Sequence, residues 1–438
     1  MKFCMVTTFF GGHSFGGDAA YVDRLSQALC RRGHEVHIYY CVDAFEAVRG
    51  DHPLRDYTPP PGLHLHPLKS RYGILSPVAT QVTGQPWFKA AALRGALDDP
   101  AADVVHFHNI SLVGGPGVLG LGANRRAVRL MTAHEHWLIC PMHLLWKYDS
   151  RICEKPACGS CCLAGGRPPQ LWRWTGAIDR GLRHLDALVF PSRSALEEHR
   201  RRGVGASVRL VQLPYFLPDG WGRPRDDPPA RPAARPYLAA AGRMVKMKGF
   251  QRLIPMMRYL PEADLRIAGT GPYEAELRAL ASDLENVHFE GLLGGAALAQ
   301  LFRGARAVVV PSLFPETFGY VVLEAFAVQT PVIVHDAAGA LAETGVESGG
   351  GLGYRADIEL LTACRRILHE PGLREALAAR GFARRMGEWS EAQHIERYLA
   401  LIERARAGRS GRLIYRPAVT RPARRRQPVT EGEGWPGD

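Results

Sequence analysis

The stretch LFPETFGYVVLEAF, residues 313–326, sets one carboxylate, Glu324, inside an apolar run and a second, Glu316, eight positions before it. It follows ARAVVVPS (305–312), a short β-branched block that reads as a buried strand ending in a proline turn. The spacing predicts a helix opening near Thr317, whose first unpaired N–H groups and positive dipole end attract anions. Glu316 fits as an acid at that helix start. Glu324 does not. Among Val322, Leu323, Ala325 and Phe326 an ionised carboxylate must be paired or must face a polar ligand, because burying it alone is very costly. Pairing with an arginine is the plain alternative, although no basic residue stands within a helical turn of it.

The same strand-turn-helix rhythm extends in both directions. YLAAAGRM (237–244), LRIAGTG (265–271), NVHFEG (286–291) and TPVIVHD (330–336) mark strands in the second half. In the first half KFCMVTTF (2–9) reads as a buried strand, followed by the glycine-rich GGHSFGGDA. A helix follows with Tyr21, Leu25 and Leu29 four apart, ending at Gly33. HEVHIYY (34–40), DVVHFH (103–108), AVRLMTA (127–133), DALVFPS (186–192) and VRLVQLP (208–214) continue the series. Residues 218–236 carry six prolines among arginines and aspartates and read as a linker. The expected fold is α/β, with two doubly wound Rossmann-like domains, 1–217 and 237–408, facing a central cleft where ligands bind.

A chain of 438 residues is too long for one ordinary core. No apolar run approaches the ~18 residues of a membrane span. The apolar start MKFCMVTTFF breaks into a glycine loop and reads as strand rather than export signal, so the expected setting is cytoplasmic. Net charge is +12, and nine arginines lie between Arg404 and Arg426 with no acid among them. This basic tail, 409–438, reads as a solvated segment or as a peripheral contact with an anionic membrane at its inner face. No nucleic-acid module accompanies the charge, so nucleic acid is not an expected partner.

Five of the nine cysteines fall in an insert at about 138–175. Cys140, Cys153, Cys158 and either Cys161 or Cys162 supply four thiolates for a closed structural site, zinc above all, and His143 can replace one of them. An iron–sulfur cluster uses the same ligands, and disulfides are the weaker reading in a reducing compartment.

GGHSFGG (11–17), TAHEH (132–136), GRMVKMKG (242–249), AGTGP (268–272) and ETFGYVVLE (316–324) occur in one order along the chain. Together they resemble the family 4 retaining nucleotide-sugar glycosyltransferases, built on the GT-B fold. The resemblance implies transfer of a sugar from a nucleoside diphosphate to a glycan or lipid-linked acceptor, in polysaccharide or glycolipid synthesis. Such a reaction must stabilise charge on the departing diphosphate, with a metal or with fixed cations and N–H donors. The chain contains no Asp-x-Asp triplet, so no catalytic metal is expected and Arg243 and Lys248 supply the cations. Thr317, Phe318 and Gly319 add helix-start donors, and Gly12 permits close backbone approach from the facing domain. Glu316 would hold sugar hydroxyls and Glu324 the ribose diol, since one carboxylate accepts two hydroxyl bonds. His134 would face the donor sugar, with His136 its alternative; no protein nucleophile is implied.

Two departures from the family pattern touch the back of the donor site. Gln329 stands where glycine is common, and Gly339-Ala340 where two glycines are. A sugar-phosphate synthase or phosphorylase on the same fold is the nearest rival and is separated by competition with free phosphate or a sugar phosphate. A catalytically silent scaffold binding through the insert is the rival of another class; the intact Arg243, Lys248, Glu316 and Glu324 argue against it.

Overall fold

Short β-branched runs buried on both faces build two all-parallel sheets, each covered by helices. The computed structural model describes residues 1–411 except 15, 51–53, 123, 125 and 223–234. The central part of the expected linker and nearly all of the basic tail therefore lie outside the described residues.

The first half contains β1 (Lys2–Thr7), β2 (Glu35–Cys41), β3 (Leu63–Leu68), β4 (Val104–Phe107), β5 (Val128–Thr132), the small antiparallel hairpin β6 (Trp146–Lys147) and β7 (Arg151–Ile152), β8 (Ala187–Phe190) and β9 (Leu210–Gln212). Its main sheet runs β3-β2-β1-β4-β5-β8-β9. The second half contains β10 (Tyr237–Ala241), β11 (Asp264–Ala268), β12 (Val287–Gly291), β13 (Ala307–Val310), β14 (Val332–His335) and β15 (Gly351–Tyr354), in the order β12-β11-β10-β13-β14-β15. In each sheet the strand order reverses beside the first strand, between β1 and β4 and between β10 and β13. That reversal opens a crevice at the carboxyl ends of those strands. The motifs singled out above follow the carboxyl ends of β1, β5, β10, β11 and β13, on the same side of the two sheets.

The expected strands are present, and the helix Gly17–Cys30 buries Tyr21, Leu25 and Leu29 as its spacing requires. Two edge strands were not anticipated. β3 contains Pro67, tolerated at an edge because no neighbour needs its missing N–H, and β15 begins GLG, a weak strand signal. The helix expected at Thr317 starts instead at Tyr320, because Gly319 takes a left-handed conformation (φ 89°) just before it.

The last described helix, Glu391–Gly411, departs from the division at 408. It leaves the second sheet and packs on the first half. Arg31 and Arg32, at the end of Gly17–Cys30, pair with Glu391 at 2.7 and 3.2 Å. The Tyr398 hydroxyl lies 2.9 Å from His106 Nδ1 on β4, and Arg406 meets Asp103 at 3.0 Å. His394 Nδ1–H donates to Pro214 O at 2.7 Å, so its Nε2 accepts from the Tyr21 hydroxyl at 3.1 Å.

Candidate active site

After β10 the chain makes a short turn, Lys246–Lys248, closed by Gly249 in a left-handed conformation (φ 77°). A Cβ at Gly249 would sit 1.9 Å from Pro311 O, so only glycine lets this turn lie against the end of β13. The Leu313 N–H donates to Met247 O at 2.7 Å and ties the two loops together. Lys248 Nζ is thereby set 2.6 Å from Glu316 Oε1, which also accepts from Ser312 Oγ at 2.8 Å. Both bonds fall on one oxygen of a carboxylate only 13% exposed. Lys248 and Glu316 therefore form one unit, a cation and an acceptor side by side at the switch point. Arg243, the first residue past the Gly242 turn, is exposed at the same strand end.

The carbonyl of Glu316 is fixed from behind by the Ala340 N–H at 2.9 Å, and Gly339 (φ 62°) packs so closely that a Cβ there would meet Glu316 O at 2.5 Å. Of the two family glycines, this one is needed, and Ala340 fits in place of the other. Gln329 has φ 57°, the left-handed region, which explains why glycine is common at that position.

Glu324 has the arginine partner that the sequence reading ranked second. Arg24, on the helix Gly17–Cys30 of the facing half, places Nη2 3.6 Å from Glu324 Oε1 and its guanidinium over the Tyr320 ring at 4.6 Å. No local spacing reveals it, because the partner stands 300 positions away in the chain. Burial pushes the Glu324 carboxyl up to about 7, against the opposing pull of Arg24. Arg24 Nη1 and the Tyr320 hydroxyl are buried without a hydrogen-bond partner among the described residues. Orphaned donors beside a half-satisfied carboxylate are what a hydroxylated ligand would complete.

Close approach between the halves occurs at Gly17, not at Gly12. A Cβ on Gly17 would meet the Tyr320 ring at 3.2 Å, whereas one on Gly12 would strike Arg55 O of its own half at 2.1 Å. Gly12 shapes its own loop. The Phe318 ring is buried, 5.0 Å from the Tyr215 ring and 6.0 Å from Trp389, so what it can offer a ligand is the backbone N–H expected of it and not its side chain. Thr317 crosses the cleft, its hydroxyl donating to His134 O at 2.8 Å.

His134, at the end of β5, is buried with both ring nitrogens engaged. Nδ1 lies 2.5 Å from the Tyr215 hydroxyl and Nε2 3.0 Å from His108 Nδ1. Burial lowers it to about 3, so the ring is neutral at physiological pH. What His134 presents to the other half is its carbonyl. His136 is buried as well and donates from Nε2 to Pro315 O at 3.0 Å. Sequence reasoning missed an acid close to Glu135. Asp18, directly after the glycine motif, accepts from Asn109 Nδ2 at 3.1 Å, and burial together with the charge of Glu135 raises it to about 6. Its only signal was its place at the end of GGHSFGGD.

The insert joins the cleft through Glu135, whose Oε1 lies 2.5 Å from His143 Nδ1. Cys140 and Cys153 pack with Leu145 in a small separate core, and the helix Cys158–Ala164 carries Cys158, Cys161 and Cys162. All five thiols are free, which leaves the disulfide alternative unformed here. Burial pushes the thiols of Cys140, Cys158 and Cys162 up. Among the described residues no three of these sulfurs, with or without His143, lie within 4.8 Å of one another. A cavity of about 440 Å³ opens between the insert and the first half, lined by Pro141, Cys158, Cys162, Arg173 and Trp174.

The family described as Glycosyltransferase Family 4 matches residues 15–214, and that described as Glycosyl transferases group 1 matches residues 225–384. A D-inositol 3-phosphate glycosyltransferase of Actinosynnema mirum is 30% identical over 412 residues, covering 84% of this chain and 89% of that protein. The chain spans about half the length of three further curated relatives, 44% to 51%, at 32% to 34% identity. Among solved structures, sucrose-phosphate synthase from Thermosynechococcus elongatus superimposes with a TM-score of 0.67 at 20% identity, over 94% of this chain and 98% of that one. Anabaena HepE in complex with UDP gives 0.64 at 15% identity, over 92% and 100%. These two likenesses concern the fold.

Proposed function

The chain belongs to the family 4 glycosyltransferases of the GT-B fold, and from that premise we propose that it moves a sugar, with retention, from a nucleoside diphosphate to a glycan or lipid-linked acceptor. The observation that carries this reading is the Lys248–Glu316 pair at the switch point of the second sheet. Lys248 has further N–H donors for a diphosphate, and Glu316 Oε2 faces the sugar hydroxyls. Arg243 adds a second cation at the rim. Glu324, now held by Arg24, takes the ribose diol, and the buried, neutral His134 holds the cleft wall rather than acting as a base. The related D-inositol 3-phosphate glycosyltransferase supports a polar, hydroxyl-rich acceptor.

The experiment is a thermal-shift panel of nucleoside diphosphates and their sugars, followed by transfer assays. A ligand that binds only the folded chain raises its stability by mass action, about 2.7 kcal/mol at a hundredfold excess over Kd. We expect one nucleoside diphosphate to stand out, and both the shift and turnover to persist in excess EDTA, because fixed cations replace a divalent ion. Turnover abolished by EDTA and restored by manganese would overturn the metal-free part of the reading.

In the cysteine-rich insert we propose a structural zinc held by Cys140, Cys153, Cys158 and Cys161. Five free thiols in one insert, two of them packed around Leu145 and three on the helix Cys158–Ala164, support it, but their sulfurs must draw together on binding. Stoichiometric zinc lost in Cys153→Ser, with altered acceptor use, is the expected result of metal analysis; active, fully reduced protein without metal would overturn it. The basic tail is the segment that a peripheral membrane contact at the inner face would use.

A further inference from the structure

Alternation along β2 turns Val36 and Ile38 into the core with Leu63 of β3. Glu35, His37 and Tyr39 therefore point to the opposite face, as do His64 and His66, which pair in register with His37 and Tyr39. Three imidazoles and one carboxylate thus stand together at the sheet edge. Glu35 Oε1 is 2.7 Å from His37 Nε2 and 3.8 Å from His64 Nε2, and all three ligand atoms lie within 4.8 Å of one another.

We propose that Glu35, His37 and His64 form a binding site for a divalent transition metal, zinc in the first instance. Tetrahedral zinc with bonds of about 2.0–2.1 Å holds neighbouring ligands roughly 3.3–3.4 Å apart. The two observed separations bracket that value, so small side-chain movements close the site. Two imidazole nitrogens and a carboxylate suit zinc, copper or nickel better than calcium or magnesium. A fourth position remains for water.

His66 is a positioning residue. Its Nε2 lies 2.9 Å from His37 Nδ1, and metal on Nε2 of His37 requires the proton on Nδ1, from which His37 donates to His66. The His64 ring stacks on His37 at 4.6 Å and the Tyr39 ring on His66 at 4.4 Å, which fixes the orientation of the set. Lys2 lies 4.0 Å from Glu35, and Asp99 holds it at 2.9 Å. The carboxylate is thus left available.

Glu35 begins β2, at the end of the sheet opposite the cleft. Sugar transfer is therefore independent of this site, and failure of either reading leaves the other standing. The test is calorimetric titration of chelator-stripped full-length protein with zinc chloride. Wild type should take up one equivalent more than His64→Asn, or bind it at least tenfold more tightly. His66→Asn should weaken that equivalent by about 10–100-fold without removing it. Cys153→Ser should retain it, which separates it from any zinc in the insert. His64 is exposed, so its replacement leaves the fold intact, checked by an unchanged melting temperature without metal. Equal uptake and affinity in wild type and His64→Asn overturn the proposal, as does the absence of zinc binding in folded wild type.

Discussion

Lys248→Ala is expected to lower turnover about 100-fold or more, with the folded chain preserved. Removing one preorganised donor to developing charge commonly costs about 2.7–4 kcal/mol of transition-state stabilisation. Here the loss is compounded. Lys248 sits 2.6 Å from Glu316, and without it a nearly buried carboxylate faces the incoming diphosphate uncompensated. The defect should fall mainly on kcat, since the charge that Lys248 meets grows as the leaving group departs. Steady-state kinetics at saturating donor, with circular dichroism as the fold control, decide the matter. Near-normal turnover in folded protein removes Lys248 from the mechanism.

The second large effect is expected at Glu324, in donor affinity rather than in the chemical step. Each hydrogen bond from a hydroxyl to an ionised carboxylate contributes about 1.5–3 kcal/mol. Glu324→Gln should therefore weaken nucleoside diphosphate binding at least tenfold. The wild-type carboxyl, raised by burial to about 7, is largely protonated below that pH, so donor affinity should climb as pH rises through about 7. Stability should move the other way. A carboxyl raised in the folded chain above its usual ~4.3 favours folding below that unfolded value, and the contribution is lost as pH rises through about 7. Titration of donor binding from pH 6 to 8 should show the step in wild type and none in Glu324→Gln. A step of equal size in both proteins would assign it to another group, with Asp18, raised to about 6, the next to test.

Most of the fold is legible in the sequence because a strand buried on both faces leaves an apolar run, unbroken in β8, β10 and β13, over Phe3–Val6 in β1, and interrupted once each in β4 and β5 by His106 and Arg129. The edge strands β3 and β15 are not legible for the same reason: an edge has no need of such a run and admits Pro67 or Gly351 and Gly353. At the site, Gly319 announces itself through turn chemistry, whereas Lys248 and Glu316 stand out only through the family resemblance that GRMVKMKG and ETFGYVVLE carry. Arg24, Asp18 and Tyr215 do neither, because their partners are distant in the chain: Glu324 of the facing half for Arg24, and Asn109 and His134 of their own half for Asp18 and Tyr215. The reading of Gly12 failed similarly. Sequence shows that a glycine admits a neighbour but not which one, and the neighbour is Arg55 rather than the facing half.

The return of Glu391–Gly411 to the first half bears on how the chain is made. The ribosome delivers β1 to β9 long before residue 391, and domains otherwise tend to fold as they emerge. The rings of Tyr21 and His106 must wait for His394 and Tyr398 to cover them. The half synthesised first is therefore completed last. Cutting the gene between the halves would yield an N-terminal fragment missing its own final helix, and a C-terminal fragment carrying that helix with nothing to cover.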